Sequence, residues 1–239
     1  MLISVLCPSR GRPLLAQTML ESAKLTAKKD AEYLFYVDDD DSCLKDYAKL
    51  DAKVIVGPNV PTPVAYNILA DNTQGDMLLI MGDDCVFQTP DWDVRMKQAV
   101  KPEWRRDNAY IVSAHDGREL NSHGHFALGR GWRDALGYLL PPIFRHWCTN
   151  MFTIDIAERI NRLSYLQDVV LQHNKIHEQD VKDETHDRIR TGGVRLWDQM
   201  VADTCYKYAE LDEMILRRWI EAKSREGNVW QSFSDKVAA

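Results

Sequence analysis

The sequence predicts an α/β fold with a mainly parallel central sheet, extended at its C-terminus by helices. Apolar runs of strand length alternate with amphipathic helical segments over about the first hundred residues, which is the pattern of successive βαβ units. The strands end in clusters of polar residues, as in open α/β sheets, where ligands gather at the carboxyl ends of strands. From about residue 194 to 225, apolar residues recur at helical spacing, which predicts the helical extension.

The composition is that of a folded protein with a sizeable core. The chain has 239 residues, of which 45% are hydrophobic and 28% charged, enough for one generous domain. Its net charge of −6 argues against the global basic field that nucleic-acid-binding proteins often carry. Five scattered cysteines without a CxxC pair argue against a disulfide framework, and no apolar run approaches the ~20 residues of a membrane span. We therefore expect a cytoplasmic protein.

Four strands are predicted in the first hundred residues, at 2–6, 33–37, 53–56 and 77–81. Helices are predicted from Pro13 onward, over residues 42–50 and 60–71, and from about 90 to 100. Pro13 suits the first turn of its helix, because the missing N–H of proline has no partner to lose there. Beyond this region the pattern predicts a strand at 109–113, a helix at 153–163 and a strand at 165–171.

The most informative stretch is the end of the fourth predicted strand. An apolar run ends abruptly in Gly82 and two adjacent carboxylates, Asp83 and Asp84. Two neighbouring carboxylates repel, so one would have a raised pKa unless a cation neutralised both. Acidic oxygen ligands suit a hard ion such as Mg²⁺ or Mn²⁺, which also binds diphosphate oxygens. An acidic, solvated turn after a strand explains the same residues equally well at this stage.

Polar clusters also follow the first two strands. The loop Pro8-Ser9-Arg10-Gly11-Arg12 brings two arginines to a predicted helix N-terminus, which favours an anion site. The run Asp38-Asp39-Asp40-Asp41 follows the second strand, and one of these carboxylates is placed to accept hydrogen bonds from a ribose or a base. Asn67 lies within a predicted helix and is either solvated or directed toward a ligand at the strand ends.

The region from residue 101 to 147 is locally basic and rich in aromatic residues, with seven Lys or Arg against five Asp or Glu. Such a surface suits stacking on sugars or bases. The alternative is that several of these aromatic residues pack in the interior. The residues expected to contact a sugar or base at this surface are Arg130, Trp132, Arg145, His146 and Trp147.

The C-terminal extension carries a stripe of large apolar residues. A stripe of this kind is usually core, or the seam of a dimer when the domain is small. We expect a homodimer through this helix as one use of it. The stripe consists of Trp197, Met200, Val201, Tyr208, Leu211, Ile215 and Trp219.

Three of these motifs, taken in order, resemble a known family. Each follows a strand: the Pro8–Pro13 loop, then Val37-Asp38-Asp39-Asp40, then Met81-Gly82-Asp83-Asp84. Together they are similar to the nucleotide-sugar half of family-2-like glycosyltransferases with the A-type fold, especially small phage or bacterial ones. Residues 136–142, 144–147 and 168–173, with Asp183-Glu184-Thr185 downstream, extend the resemblance over about residues 2–188.

The resemblance implies an architecture and a set of roles. It implies a single Rossmann-like domain with a nucleotide-sugar-binding half (1–100), an acceptor-binding and metal-completing half (101–190) and a helical extension (191–239). By position, Asp83, Asp84 and His173 correspond to residues that hold Mn²⁺ or Mg²⁺ on the donor diphosphate. The residues that fall where the family cradles the nucleotide are Pro8, Arg10, Arg12, Asp38, Asp39, Asn67 and Asp83.

At one position the sequence departs from the family. An acidic residue, the general base of an inverting transfer, is expected shortly after His146, but the chain has Asn150 there, and an amide cannot accept the proton. Asp116 and Asp155 are alternative candidates, although Asp155 lies at a predicted helix start, where capping is its expected task. A base elsewhere, a retaining reaction without such a base and an inactive protein are all compatible with this sequence.

These features predict a metal-dependent glycosyltransferase that uses a nucleotide-diphosphate sugar, with a UDP-sugar favoured. One hypothesis for the acceptor is a hydroxymethylated pyrimidine in phage DNA, because the basic aromatic region suits a flipped base and its phosphates; the other is a saccharide. A phage-encoded enzyme would act in the cytoplasm of its bacterial host. The alternatives are a nucleotidyltransferase acting on sugar phosphates and a non-catalytic nucleotide- or sugar-binding protein.

Overall fold

The computed structural model of the chain describes residues 1–118, 123–174, 187 and 193–237. Its strands are β1 (Ile3–Ser9), β2 (Glu32–Asp38), β3 (Lys53–Gly57), β4 (Met77–Ile80), β5 (Cys85–Phe87), β6 (Ile111–His115), β7 (His125–Gly129) and β8 (Leu163–His173). Its helices are α1 (Pro13–Thr26), α2 (Leu44–Tyr47), α3 (Thr62–Asp71), α4 (Trp92–Gln98), α5 (Arg130–Leu136), α6 (Thr149–Arg159), α7 (Val194–Thr204) and α8 (Tyr206–Val237), with a 3₁₀ helix at Pro102–Arg105.

Within the described residues, the strands form one sheet in the order β3-β2-β1-β4-β7-β6-β8-β5. β1 lies between β2 and β4 and pairs in parallel with both, and β3 pairs in parallel with β2. The carboxyl ends of these four strands therefore share one edge of the sheet. The predicted α/β fold with a mainly parallel sheet is confirmed.

The other half of the sheet is mixed. β7 is antiparallel to both β4 and β6, while β8 is parallel to β6 and antiparallel to β5. Because β5 and β7 run in the opposite direction, their amino ends lie at the edge where β4, β6 and β8 end. This arrangement brings residues 83–85, 115–116, 125 and 173, which are distant in the sequence, to the same side of the molecule.

Both faces of the sheet are covered by apolar layers. Val5 and Cys7 of β1 belong to the layer that contains Met19 of α1, whereas Leu6 belongs to the opposite layer with Leu69 of α3. Successive side chains of a strand point to opposite faces. A strand that is buried on both faces is therefore apolar throughout, which is why β1 was recognisable from sequence.

Several elements differ from their predictions. α2 is a single turn rather than the helix predicted over residues 42–50, and α6 begins and ends about four residues before the helix predicted at 153–163. β5, β7 and α5 were not predicted. β7 has only five residues, and His125 and Gly129 at its ends leave an apolar run of three, so its local sequence carries a weak signal. The motif Asp183–Thr185 lies outside the described residues.

The C-terminal extension forms two helices separated at Cys205. α8 packs against α5 and α6, and Nε1 of Trp219 donates a hydrogen bond to the carbonyl oxygen of Asp107 at 2.9 Å. Its buried face consists of Ala209, Asp212 and Leu216. Among the described residues, no helix combines the length and the apolar character needed to cross a membrane.

The predicted apolar stripe is only partly buried. Val201 is buried, but the first residues of the stripe on α7 and α8 are exposed. The stripe therefore coincides with the docking face of α8 only in part: Trp219 contacts the core, and the use of the exposed part as a dimer seam stays a prediction. The exposed members are Trp197, Met200, Tyr208 and Leu211.

Candidate functional site

A cleft of about 750 Å³ lies at the edge where the strands end. Its floor is formed by the loops after β1 and β4, and it includes Asp83, Asp84, His125 and His173. One wall comes from residues 59–66 at the start of α3, and an adjoining wall from residues 145–151. The cleft thus lies where an open α/β sheet is expected to bind its ligands.

The two adjacent aspartates point to different partners. Asp83 is buried and accepts hydrogen bonds from Nη1 of Arg12 at 3.0 Å and from Oγ of Ser9 at 2.6 Å. Tyr47 supports this contact, because its hydroxyl lies 2.7 Å from Oγ of Ser9 and accepts the backbone N–H of Arg12 at 2.9 Å. Burial raises the pKa of Asp83, although Arg12 and Ser9 stabilise its charged form.

Asp84 faces the end of β8 instead. Its Oδ2 lies 3.3 Å from Nε2 of His173. A carboxylate oxygen of Asp84, the Sγ of Cys85 and an imidazole nitrogen of His173 all lie within 4.8 Å of one another. Burial acts to raise the pKa of Asp84, but the hydrogen bond and charge of His173, with help from Arg12, lower it to about 2. Asp84 is therefore ionised at neutral pH.

This geometry refines the predicted metal ligands. Asp84 and His173 are brought together, as predicted, whereas both oxygens of Asp83 are bound to Arg12 and Ser9. Asp83 is consequently not part of the ligand cluster formed by the described residues. Adjacent residues of a turn point in different directions, and the sequence alone gives no indication of which carboxylate faces which partner.

His125 is a buried neighbour of this cluster that sequence reasoning did not select. Its Nε2 lies 3.1 Å from Sγ of Cys85, and its ring meets that of His173 edge-on with 5.2 Å between centroids. Burial, together with the charge of His173, lowers the pKa of His125 to about 4. The ring is therefore neutral at pH 7.

In the predicted anion-binding loop after β1, both arginines are bound to carboxylates of the chain itself. Arg10 donates to Asp38 at 2.8 Å and also binds Asp40, and Arg12 binds Asp83. Pro8, Arg10, Arg12 and Asp38 line the cleft as predicted for nucleotide contacts, whereas the exposed Asp39 does not.

Asn67 does not face the cleft. Its Oδ1 accepts the backbone N–H groups of Leu139 and Leu140 at 2.8 and 3.0 Å, and its Nδ2 donates to the carbonyl oxygen of Leu140 at 2.8 Å. These three bonds fix the segment after α5 against α3. The prediction that Asn67 contacts the nucleotide is therefore wrong.

The predicted acceptor residues separate into two groups. Arg145, His146 and Trp147 line the cleft. Trp132 is 1% exposed and packs in the core, while Arg130 donates to the backbone carbonyls of Gly75 and Thr73 at 2.6 and 3.0 Å. Trp132 and Arg130 are therefore packing residues, and the prediction that they contact an acceptor is wrong.

The three candidates for a catalytic base also differ in position. Asn150 lines the cleft and donates to the carbonyl oxygen of Gly124 at 3.3 Å. Asp155 forms an ion pair with Arg159 one turn along α6, at 2.7 Å. Asp116 is buried behind the cleft lining, where its carboxylate accepts the N–H of Arg118 and its carbonyl oxygen accepts the N–H of His173. Among the described residues lining the cleft, the carboxylates are Asp38, Asp83 and Asp84, and each has a partner.

Sequence reasoning also missed Asp198. This residue of α7 is fully buried and accepts the backbone N–H groups of Arg145, His146 and Trp147 at 2.7, 2.8 and 2.6 Å. Asp198 thus fixes the wall of the cleft, although it lies about fifty residues further along the sequence. An aspartate in an otherwise apolar helical stripe was the only sequence signal.

The fold of the chain resembles that of solved glycosyltransferase structures. No protein-family model and no curated protein matches the chain. Solved structures with this architecture match it at low sequence identity, and these matches bear on the fold alone.

Three of these structures cover most of the chain. The mannosyltransferase PcManGT from Pyrobaculum calidifontis, in complex with GDP-Man and Mn²⁺, matches 97% of this chain and 80% of its own, with a TM-score of 0.57 and 11% identity. S. aureus TarS 1–349 in complex with UDP-GlcNAc matches 95% of this chain and 92% of its own, with a TM-score of 0.55 and 13% identity. Glucosyl-3-phosphoglycerate synthase from Mycobacterium tuberculosis, with Mn²⁺ and UDP, matches 84% and 79%, with a TM-score of 0.58 and 12% identity.

Proposed function

We propose that the chain is a metal-dependent glycosyltransferase that moves a sugar from a nucleotide-diphosphate sugar to an acceptor hydroxyl. The observation that carries this proposal is the pair Asp84 and His173, which meet at the floor of the cleft with 3.3 Å between Oδ2 and Nε2. The structurally similar proteins were solved with Mn²⁺ and GDP-Man or UDP, which supports the same class of donor. We favour a UDP-sugar.

The residues of the floor fit a divalent metal ion. An ionised carboxylate and an imidazole nitrogen are ordinary ligands of Mn²⁺, and the open cleft above them leaves room for diphosphate oxygens. Asp84 and His173 would hold the ion. Bound there, Mn²⁺ or Mg²⁺ would offset the negative charge that develops on the departing diphosphate.

The other residues of the floor would orient the donor. Pro8, Arg10 and Asp38 line the part of the cleft nearest β1 and β2, and we assign them to the nucleoside. The bond between Arg12 and Asp83 keeps the loop after β1 against the turn after β4. A donor held in this frame is presented to its acceptor in a fixed orientation, which lowers the entropic part of the barrier. In this scheme residues 1–100 bind the donor, and residues 101–190 complete the metal site and bind the acceptor.

The acceptor binds between the floor and the wall formed by residues 145–151. We retain two acceptor hypotheses, a hydroxymethylated pyrimidine in phage DNA and a saccharide. Asn150 occupies this wall, so the transfer proceeds without a carboxylate base from that position. A phage enzyme of this kind would act in the host cytoplasm.

Thermal unfolding with UDP, GDP, CMP and dTDP, each in Mn²⁺ and in EDTA, tests the proposal. A ligand that binds the native state raises the unfolding midpoint by mass action. We expect a metal-dependent increase for one nucleoside diphosphate. An unchanged midpoint with every nucleotide would overturn the proposal.

Two activity assays on the purified protein distinguish the proposed function from its two alternatives. A nucleotidyltransferase would release pyrophosphate from a sugar phosphate and a nucleoside triphosphate, whereas a glycosyltransferase would not. A non-catalytic binding protein would show the thermal shift but neither hydrolyse nor transfer the donor sugar.

The exposed apolar residues of α7 and α8, among them Tyr208 and Leu211, support the proposal of a homodimer through the C-terminal extension. Sedimentation velocity of the full chain, alone and with Leu211→Glu, measures this directly. We expect the substitution to shift a dimer to monomer. A monomeric native protein would rule the dimer out.

A further inference from the structure

We propose that the acceptor of this enzyme carries a phosphate group, bound at a corner of the cleft formed by Arg145, Trp147 and Arg195. This cationic corner lies where the wall of residues 145–147 meets α7. The inference rests on the proposed function and names the chemical class of its acceptor. Three observations support it: the hydrogen bonds that fix the corner, the contacts of its two arginines, and the buried indole nitrogen of Trp147.

The corner is held in place by Asp198. The buried carboxylate of Asp198 accepts three successive backbone N–H groups, those of residues 145–147, at 2.6–2.8 Å. Three such bonds fix the backbone of the wall and compensate the negative charge of the carboxylate. The wall is further tied to α3, because the backbone N–H of Thr62 donates to the carbonyl oxygen of Arg145 at 3.0 Å.

The two arginines of the corner lie over indole rings. The guanidinium of Arg145 lies over the ring of Trp197 at 4.7 Å, and that of Arg195 lies over the ring of Trp147 at 5.7 Å. A guanidinium that is held over a ring can still present its N–H edge to a ligand. That edge matches the oxygens of a phosphate in a bidentate arrangement.

Arg145 lines the cleft, and Arg195 follows Val194, which also lines it; both differ from the other arginines of the lining. Arg10 and Arg12 are bound to Asp38 and Asp83. Within the part of the chain that the structure describes, Arg145 and Arg195 form no ion pair with a carboxylate. On a chain of net charge −6, two cations without an acidic partner at the mouth of a cleft favour an anionic ligand over a neutral one.

Trp147 adds a donor that lacks an acceptor. In the described residues, its Nε1 is the one buried side-chain nitrogen or oxygen without a hydrogen-bond partner. Buried polar groups are almost always paired, and Trp147 lines the cleft beneath Arg195. A phosphate oxygen held by the arginines would supply the missing acceptor. A neutral saccharide would satisfy the indole but would leave both guanidinium groups without a counterion.

A phosphate group of this kind comes from one of two sources: the backbone of a polynucleotide, or a phosphorylated sugar or polyol. Titration with one probe of each kind distinguishes them, and tryptophan fluorescence reports the binding, because Trp147 and Trp197 lie beside the two arginines. The protein, saturated with Mn²⁺ and the nucleotide that it binds, is titrated with a short single-stranded oligonucleotide, with glycerol 3-phosphate and with glycerol. The same titrations are made with Arg145→Gln, Arg195→Gln and Trp147→Phe.

Arg218→Gln is the matched control, because Arg218 is an exposed arginine on α8, remote from the cleft. We expect at least one phosphate-bearing probe to bind, and each arginine substitution to weaken it about tenfold, the loss typical of a charge-assisted hydrogen bond. Glycerol should not bind, and Arg218→Gln should behave as the native protein. Binding of glycerol 3-phosphate indicates that one phosphate suffices, and binding of the oligonucleotide alone assigns the acceptor to nucleic acid.

Three results would overturn the inference. The first is that neither phosphate-bearing probe binds, and the second is that neither arginine substitution weakens the binding. The third is that Arg145→Gln loses metal-dependent nucleotide binding, which would place that arginine on the donor side. The nucleotide measurement separates this inference from the proposed function. If nucleotide binding persists while phosphate binding is absent, only the inference fails.

Discussion

Oδ2 of Asp84 lies 3.3 Å from Nε2 of His173, although the two residues are almost ninety positions apart in the sequence. The antiparallel pairing of β5 with β8 sets Cys85 opposite His173, so the residue before β5 meets the end of β8. Asp83, one position earlier, is directed to Arg12. The two adjacent aspartates therefore face different partners: Asp84 faces His173, and Asp83 faces the loop after β1.

We expect Asp84→Asn and His173→Gln to abolish the Mn²⁺-dependent part of nucleotide binding. Each substitution removes one of the two groups that would hold the ion, and the affinity should fall by at least about tenfold, since loss of even an outer-sphere partner has that effect. The measurement is the thermal midpoint with UDP in Mn²⁺ and in EDTA. Asp168→Asn is the control, because Asp168 is exposed on the same strand as His173. A full metal-dependent shift in both variants would contradict the assignment.

His125 should make the protein sensitive to mild acid. Its pKa is lowered from 6.5 to about 4 in the folded state, so the unfolded chain binds this proton more readily than the folded chain. Stability is then fully present above pH 6.5 and is lost as the pH falls toward 4, by about 2 kcal/mol between pH 7 and pH 5. Urea unfolding at these two pH values measures the difference.

The variant His125→Gln provides the comparison, because glutamine does not titrate. It should be less stable than the native protein at pH 7 but should lose less stability on acidification. If the native protein and His125→Gln lose the same free energy of unfolding between pH 7 and pH 5, the acid sensitivity has another source.

The parallel half of the sheet and most residues of the cleft floor could be predicted from the sequence alone. A strand buried on both faces is a continuous apolar run, and the polar residues that follow it must lie at the sheet edge, which is why Arg12 and Asp84 line the cleft after β1 and β4. The roles of Asn67, Arg130 and Trp132 were not predictable in this way. Their partners lie more than fifty residues away, and only the tertiary packing shows that their hydrogen-bonding groups or rings are used inside the protein.

Substitution of Asn67 should affect stability rather than nucleotide binding. Asn67→Ala removes three hydrogen bonds and leaves the N–H groups of Leu139 and Leu140 without their acceptor, which should cost about 2–4 kcal/mol. Urea unfolding measures the loss, and isothermal titration with UDP and Mn²⁺ should give a dissociation constant close to that of the native protein. Asn72→Ala, at the exposed end of the same helix, serves as control. If Asn67→Ala had native stability but bound nucleotide weakly, the result would instead support the predicted nucleotide contact of Asn67.

Asp198→Ala should release the wall of the cleft. The three N–H groups of residues 145–147 would lose their common acceptor, and we expect a loss of about 2–4 kcal/mol, since unpaired buried donors are costly. Asp198→Asn should be intermediate, because an amide oxygen accepts hydrogen bonds but its NH₂ group faces a donor. Near-ultraviolet circular dichroism of the tryptophans should change together with the urea midpoint.

The control is Asp203→Ala, because Asp203 is an exposed aspartate on the same helix; this variant should remain within about 0.5 kcal/mol of the native protein. Equal stability of Asp198→Ala and Asp203→Ala would mean that the wall is held by its other contacts, such as the bond between Thr62 and Arg145.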